Sequence, residues 1–214
     1  MAGLEVKILR IGVLFSFCFF ALYGVAFAEK DFSALLSEAE QGNPLSQIDV
    51  ETSYLYGEKG ISKDAGQAIV WCGRAATYAE KHPDWPWRSL AFCLLGNAYE
   101  ASGDATNALH AIEWFRKSAL LNDARGMMGL CRIYEGRTSL PGCGPFKNET
   151  EALAWVYVDS RSGNPGSQGN RSIELEQAFL EKSIGVDRVL QAKARAEELI
   201  AEIKQHVPFP YRAP

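Results

Sequence analysis

Histidine, β-branched runs and excess positive charge are all scarce in this chain, and each shortage excludes a class of function. Its 214 residues hold three histidines, His82, His110 and His206, at no spacing that would bring two onto one metal ion. G-x-S-x-G, H-E-x-x-H and Gly-rich phosphate loops are all missing. The expectation is therefore no enzyme, no metal and no cofactor. Lys and Arg number 22 against 26 Asp and Glu, a formal net charge of −4; nucleic acid needs a dense basic face, so it is not the partner. Asn-Gly turns and β-branched runs do not occur, which removes the usual strand and hairpin signals.

One long apolar run is present, at the start. Lys7 and Arg10 precede "IGVLFSFCFFALYGVAFA", which closes on Ala26-Phe27-Ala28 before "EKD". A basic start, an apolar middle and a small-x-small exit mark a signal peptide over residues 1–28, cleaved after Ala28. About 18 apolar residues also suffice to span a bilayer, so a retained anchor is the rival reading. Phe17 before Cys18 disfavours a lipoprotein, which needs a small residue there. Export to the periplasm or beyond the cell follows. Without Lys7, Arg10 and Glu5 the net charge becomes −5, and no second apolar run remains to cross a membrane. Residues 29–207 then form one domain, followed by a short tail, 208–214.

Two phrases echo each other: "QGNPLSQ" at 41–47 and "SGNPGSQ" at 162–168. Gly42 suits the left-handed turn that ends a helix, Asn43 is a favoured N-cap, and Pro44 fits the first helical position. Gly163, Asn164 and Pro165 repeat that grammar, and Asn122 with Asp123 supplies it in other letters. Aligned on these corners, Ser46, Ala91, Gly126 and Ser167 form a column of small residues. Val50, Leu95 and Leu130 follow four positions on, then Tyr54, Tyr99 and Tyr134, one face of an amphipathic helix. Second helices align Ala68, Ala111 and Ala152, and Trp71, Trp114 and Trp155. Aromatics at helical spacing are core residues before they are anything else.

The tyrosines lie 45 and 35 residues apart because "KHPDWPWR" is inserted in one unit, while "RTSLPGCGPFKN" lengthens a later loop. Units of one period with insertions in loops describe a helical solenoid, with repeats near 43–80, 88–122, 123–163 and a partial 164–205. Asp31 caps an opening helix carrying Phe32, Leu35, Leu36 and Ala39. "PGSQGNRSIELEQAFLEK" supplies a fourth first-helix, and a charged closing helix carries Val189, Leu190, Ala194, Leu199, Ile200 and Ile203.

Four cysteines follow the leader: Cys72, Cys93, Cys131 and Cys143. An even count in an exported chain favours disulfides, with three possible pairings. Cys72 and Cys93 flank the insertion, and Cys131 and Cys143 flank the long loop. The pairing 72–93 with 131–143 is favoured; closing a loop of about 20 residues stabilises by roughly 3 kcal/mol. The alternative is that some stay free as small buried apolar residues.

"SYLYGEKGISKDAGQAIVWCGRAA" keeps Tyr54, Gly57, Gly60, Asp64, Ala68, Trp71, Arg74, Ala75 and Ala76, and the next unit keeps Ala91, Leu95, Gly96, Tyr99, Ala111, Trp114, Lys117 and Ala119. These residues resemble the Sel1-like repeat family, relatives of the tetratricopeptide repeats. The third unit departs, with Cys131 in the Gly96 column and "LPGCGP" at the Gly-Val corner. The resemblance implies an all-α fold: a right-handed α/α solenoid of Sel1-like helix pairs with terminal capping helices. It implies a protein-binding role, and it supports oxidised cysteines without fixing their connectivity. Gly66 and Gly73 within a second helix cost about 1 kcal/mol each unless a close backbone contact compensates.

Trp85, Trp87 and Arg88 stand in an insertion that the repeat does not require. Exposed aromatics beside an arginine are material for a partner-binding site; the alternative is that they fold back over a helix joint. "NET" and "NRS" match the glycosylation sequon, although Asn148 with Glu151 reads better as a capping box. The expected function is an exported protein-protein interaction scaffold whose stacked first-helices line a concave surface. A weak cell-wall-fragment or β-lactam binding or hydrolysing protein and a secreted host-directed effector are the alternatives.

Overall fold

Nine α-helices, and no strand, occur among the residues that the computed structural model describes, 31–138, 140–164 and 170–207. They are α1 (Phe32–Glu40), α2 (Pro44–Tyr56), α3 (Ala65–Lys81), α4 (Arg88–Ala101), α5 (Ala108–Leu120), α6 (Ala124–Glu135), α7 (Glu149–Arg161), α8 (Arg171–Ile184) and α9 (Val186–Ile203). Short 3-10 turns stand at Ala105–Asn107 and Gly144–Phe146. The chain divides into two units, Met1–Asp31 and Phe32–Pro214, and every described helix lies in the second. The leader and its cleavage point after Ala28, Pro165, Ser167 and the tail 208–214 lie outside the described residues.

The corners work largely as their sequence predicts. Gly42 has φ +93°, and the Asn43 side chain accepts from Leu45 N and Ser46 N at 3.0 and 3.3 Å, ahead of Pro44. Asn122 takes the left-handed role with φ +60°, and Asp123 accepts from Arg125 N. Gly163 repeats the stop at φ +74°. The start differs, because α8 begins at Arg171 under an Asn170 cap, whose Oδ1 accepts from Ser172 N. Asn164 instead turns its amide to Asn122 O at 2.7 Å.

Each helix packs on the next, and α2 also meets α4, as α4 meets α6. Contacts to the next helix and the next but one are those of an α/α solenoid. The tyrosine column has a common structural use. Tyr54 O accepts from Asp64 N at 2.9 Å, Tyr134 O from Asn148 N at 2.7 Å, and Tyr99 O from Ser102 Oγ at 2.6 Å. Asp64 and Asn148 go on to cap α3 and α7 through Gln67 N and Glu151 N. In the first and third pairs the loop thus hangs from the equivalent carbonyl, which fixes where the second helix starts, whereas the Tyr99 carbonyl closes the end of α4.

The tryptophan column is less uniform. Trp71 and Trp155 are buried, but Trp114 is only half-buried, tilted against Phe92 at 5.5 Å. Phe115 takes the core position in that unit, since Gly96 and Gly129 leave room for its ring. A Cβ at either glycine would fall 2.7 or 2.5 Å from Phe115 Cδ1. Gly126 is equally tight, with its Cβ position 2.7 Å from Ala119 N and Phe115 O. The close approach expected at Gly73 does not occur, because a Cβ there meets nothing within 4 Å; at Gly66 the nearest atom is Asp64 Oδ1 at 3.2 Å.

Helix α9 returns along α7 and reaches α5. Arg116 Nη2 donates to both oxygens of Glu202, at 2.9 and 2.7 Å. Its buried stripe is Ala192, Ala196, Leu199, Ile200 and Ile203, whereas Ala194 and Leu190 are exposed. Only the former set keeps to one side of a 3.6-residue helix.

Neither expected disulfide is formed. Cys72, Cys93, Cys131 and Cys143 are all buried free thiols. Cys72 and Cys93 belong to separate apolar clusters. The Cys72 thiol turns to Ala91 O at 3.7 Å, and Cys93 Sγ accepts from Asn97 Nδ2 at 3.9 Å. Burial pushes Cys93 up to about 12 and raises Cys72 strongly as well. Exchange needs a thiolate, which these environments disfavour.

Candidate functional site

First-helices stack from α2 to α4 to α6, but α8 packs mainly on α7 and α9 and only lightly on α6. A cleft of about 130 Å³ fills the gap. Three helices line it with residues one turn apart: Met127, Met128, Cys131 and Arg132 from α6, Trp155, Val156 and Asp159 from α7, and Ile173 and Glu176 from α8. Arg137, Asn170 and Ser172 complete the rim. Met127 is buried whereas Met128 is 53% exposed, so one methionine floors the cleft and the other opens to solvent.

The charged groups of the rim are mostly committed. Arg132 Nη2 donates to Glu100 Oε2 at 2.8 Å, and Thr138 Oγ1 donates to Glu100 Oε1 at 2.7 Å. Arg137 pairs with Glu135 and lies 2.8 Å from Glu176 Oε1. Burial, reinforced by the Glu176 carboxyl beside it, pushes Glu135 up to about 7. Cys131, buried next to Glu135, is also raised. The indole Nε1 of Trp155 is buried and has no hydrogen-bond partner among the described residues. On the far side of α8, Tyr157 Oη donates to Glu181 Oε1 at 2.6 Å and ties the helix to α7.

Residues expected to bind a partner lie elsewhere. Trp85 is half-buried, edge-on to Tyr78 at 5.2 Å, and borders a shallow depression formed with Glu38, Asn43, Pro44 and Leu45. Trp87 is 47% exposed at the start of α4. The Arg88 guanidinium lies 5.6 Å from the Phe92 ring, and its Nε is buried without a partner. Within the insertion, Trp85 therefore covers a joint while Trp87 faces solvent. None of the three reaches the α6–α8 cleft.

Sequence reasoning passed over Met127, Met128, Glu135, Arg137 and Glu176. One signal was available: apart from Met1, the only methionines are this adjacent pair, placed on a first-helix. His82 stacks on Tyr78 at 3.9 Å and His110 on Tyr99 at 5.1 Å, and the described residues contain no group of three metal-ligating side chains. None of the described helices is long and apolar enough to cross a membrane.

No family model matches the chain, and no curated protein matches it. One solved structure to which it is similar is that of a protective antigen present in uropathogenic Escherichia coli strains, displaying an SLR fold. The two are 16% identical with a TM-score of 0.36. The likeness covers 88% of this chain and 45% of the other, so the chain spans less than half the length of that protein.

Proposed function

We propose that this chain is an exported, non-enzymatic adaptor of the Sel1-like repeat type that holds a segment of a partner protein on its first-helix face, at the α6–α8 cleft. One observation carries this reading: the first-helix stack opens between α6 and α8, and Met127, Met128 and Ile173 line the opening. Methionine repacks around varied apolar groups, which suits a surface that receives a side chain. At about 130 Å³ the cleft is smaller than the few hundred Å³ of a small-molecule site, and fits a single anchoring side chain better. The rim offers Asn170 and Ser172 to the polar backbone beside such an anchor.

A binding role over a catalytic one is supported by the thiols, which are buried and held protonated, and by histidines resting on tyrosine rings. The leader supports export; N-terminal sequencing of the exported protein should begin at Glu29, and an intact Met1 would instead favour the anchor.

A photo-crosslinking amino acid at Met128 should give discrete adducts in the producing cell. The same group at Val70, exposed on α3, should give none. Equal labelling from both positions, or none from Met128, overturns the reading.

A further inference from the structure

Glu135 ends α6, and Glu176, which lines the cleft from α8, meets the same guanidinium, that of Arg137. The Glu135 side chain is 4% exposed, and Oε1 of each carboxyl is buried with no hydrogen-bond donor. Among the described residues, Arg137 is the one cation that they share. Its 2.8 Å approach to Glu176 Oε1 lacks the alignment of a hydrogen bond. Two ionised carboxylates beside one guanidinium would leave a surplus negative charge at the buried Glu135, which a proton on Glu135 removes.

The other described charged and titratable groups around the pair do not supply a second cation. Cys131 on α6 is a raised, neutral thiol. Arg132 is held by Glu100 of α4, and Lys147, which reaches Gly136, pairs with Glu149 of α7. Asp159 brings a further acid from α7. On α8, Glu181 is engaged by Tyr157.

Helix α8 is the lightly held member of the stack. It buries Leu180 and Ile184, packs Ile173 against the core, and leaves Leu175 and Phe179 exposed. We propose that Glu135 and Glu176 form a latch worked by the Glu135 proton: with Glu135 protonated α8 closes on the end of α6, and without that proton the two carboxylates repel and α8 swings clear. As a control on partner docking this rests on the cleft reading above, but the latch itself works in the free protein.

The direction follows from linkage. Glu135 lies at about 7 when α8 is docked and returns toward the ordinary carboxylic value of 4.5 when it is not. The docked form therefore binds the extra proton, and docking weakens as pH rises from about 4.5 through about 7.

Hydrogen exchange read by mass spectrometry at pH 5 and pH 8, corrected for intrinsic rates, tests this. Opening of residues 171–184 should rise roughly tenfold or more in the wild type, because each unit of pH in that window changes the proton occupancy ratio tenfold. Glu135→Gln keeps a donor for Glu176 and removes the charge, so α8 should stay protected at both pH values. Should that variant fail to fold, as judged by circular dichroism, Glu176→Gln serves instead, with a reduced pH effect expected. Equal wild-type protection at both pH values, an undiminished pH effect in the variant, or a change shared equally by α5 would each overturn the latch. Because no partner is needed, a failed latch leaves the Met128 crosslinks standing, and missing crosslinks leave the exchange result standing.

Discussion

Asn122 and Asn164 clasp successive corners together. Asn164 Nδ2 donates to Asn122 O at 2.7 Å, while Asn122 Nδ2 donates to Ser162 O at 3.1 Å. Asn122 also sits at φ +60°, a region that asparagine tolerates and alanine resists. Replacing Asn122 by alanine should destabilise by about 2–3 kcal/mol, from the lost buried amide and the backbone strain together. Asn122→Gly removes only the amide and should recover about 1 kcal/mol of that loss. Urea unfolding of the two variants against wild type measures the split.

Phe115 makes the second prediction, because its ring occupies the space that Gly96 and Gly129 leave free. Gly129→Ala places a methyl 2.5 Å from Phe115 Cδ1 and should cost about 2–3 kcal/mol, lowering Tm by several degrees. Gly73→Ala has the opposite sign. With nothing within 4 Å of the new methyl, helix propensity alone should add about 0.5–1 kcal/mol. Thermal unfolding of both variants separates a packing glycine from a merely permissive one.

Glu51 is fully buried in α2, and neither carboxyl oxygen has a hydrogen-bond partner among the described residues. Burial pushes it up to about 8, so at neutral pH the folded protein holds it protonated while the unfolded chain does not. Stability should therefore fall as pH rises from about 4.5 to about 8, with this group contributing on the order of 3 kcal/mol between pH 4.5 and 7. Glu135 acts in the same direction, so the diagnostic quantity is the difference in slope between wild type and Glu51→Gln. Chemical unfolding across that range should show a flatter profile for the variant and higher stability at pH 7.

What was legible in the sequence was local. Asn43, Asp64, Asp123 and Asn148 cap helices because a short polar side chain next to free N–H groups has one good option, and Gly42 and Gly163 end helices for a comparably local reason. The tyrosine column was legible as a column, but its use of the carbonyl was not, since that depends on where a loop returns. Gly73 and Gly96 look alike as letters; only the rotation of α5 decides which of them meets Phe115. The cleft was harder still, being an opening left where α6 and α8 pack only lightly. Its carboxyl pair joins Glu135 to Glu176 through tertiary packing that no local pattern encodes.

The cysteines give the fourth prediction. Four buried thiols with raised values should resist a thiol reagent in the native state, where burial limits both access and thiolate. After unfolding in denaturant without reductant, alkylation should add a group at each of Cys72, Cys93, Cys131 and Cys143. Two or no adducts would return the braced solenoid with bonds at 72–93, 131–143 or both.

Trp85 and Trp87 differ by one proline between them, yet the fold gives them different work. Trp85 packs on Tyr78 beneath the first corner, so Trp85→Ala should destabilise by about 2 kcal/mol, less than a fully buried tryptophan because it is half open. Trp87 packs on less, and Trp87→Ala should change stability by no more than about 0.5 kcal/mol. That contrast makes Trp87 the informative probe of the insertion as a partner contact, since any loss of partner capture in Trp87→Ala cannot be charged to unfolding. Pull-down with Trp87→Ala and Arg88→Ala beside Met128→Asp should therefore place the partner. Loss at Met128 alone confines it to the α6–α8 cleft, and loss at all three extends it along the stacked first-helices toward α4.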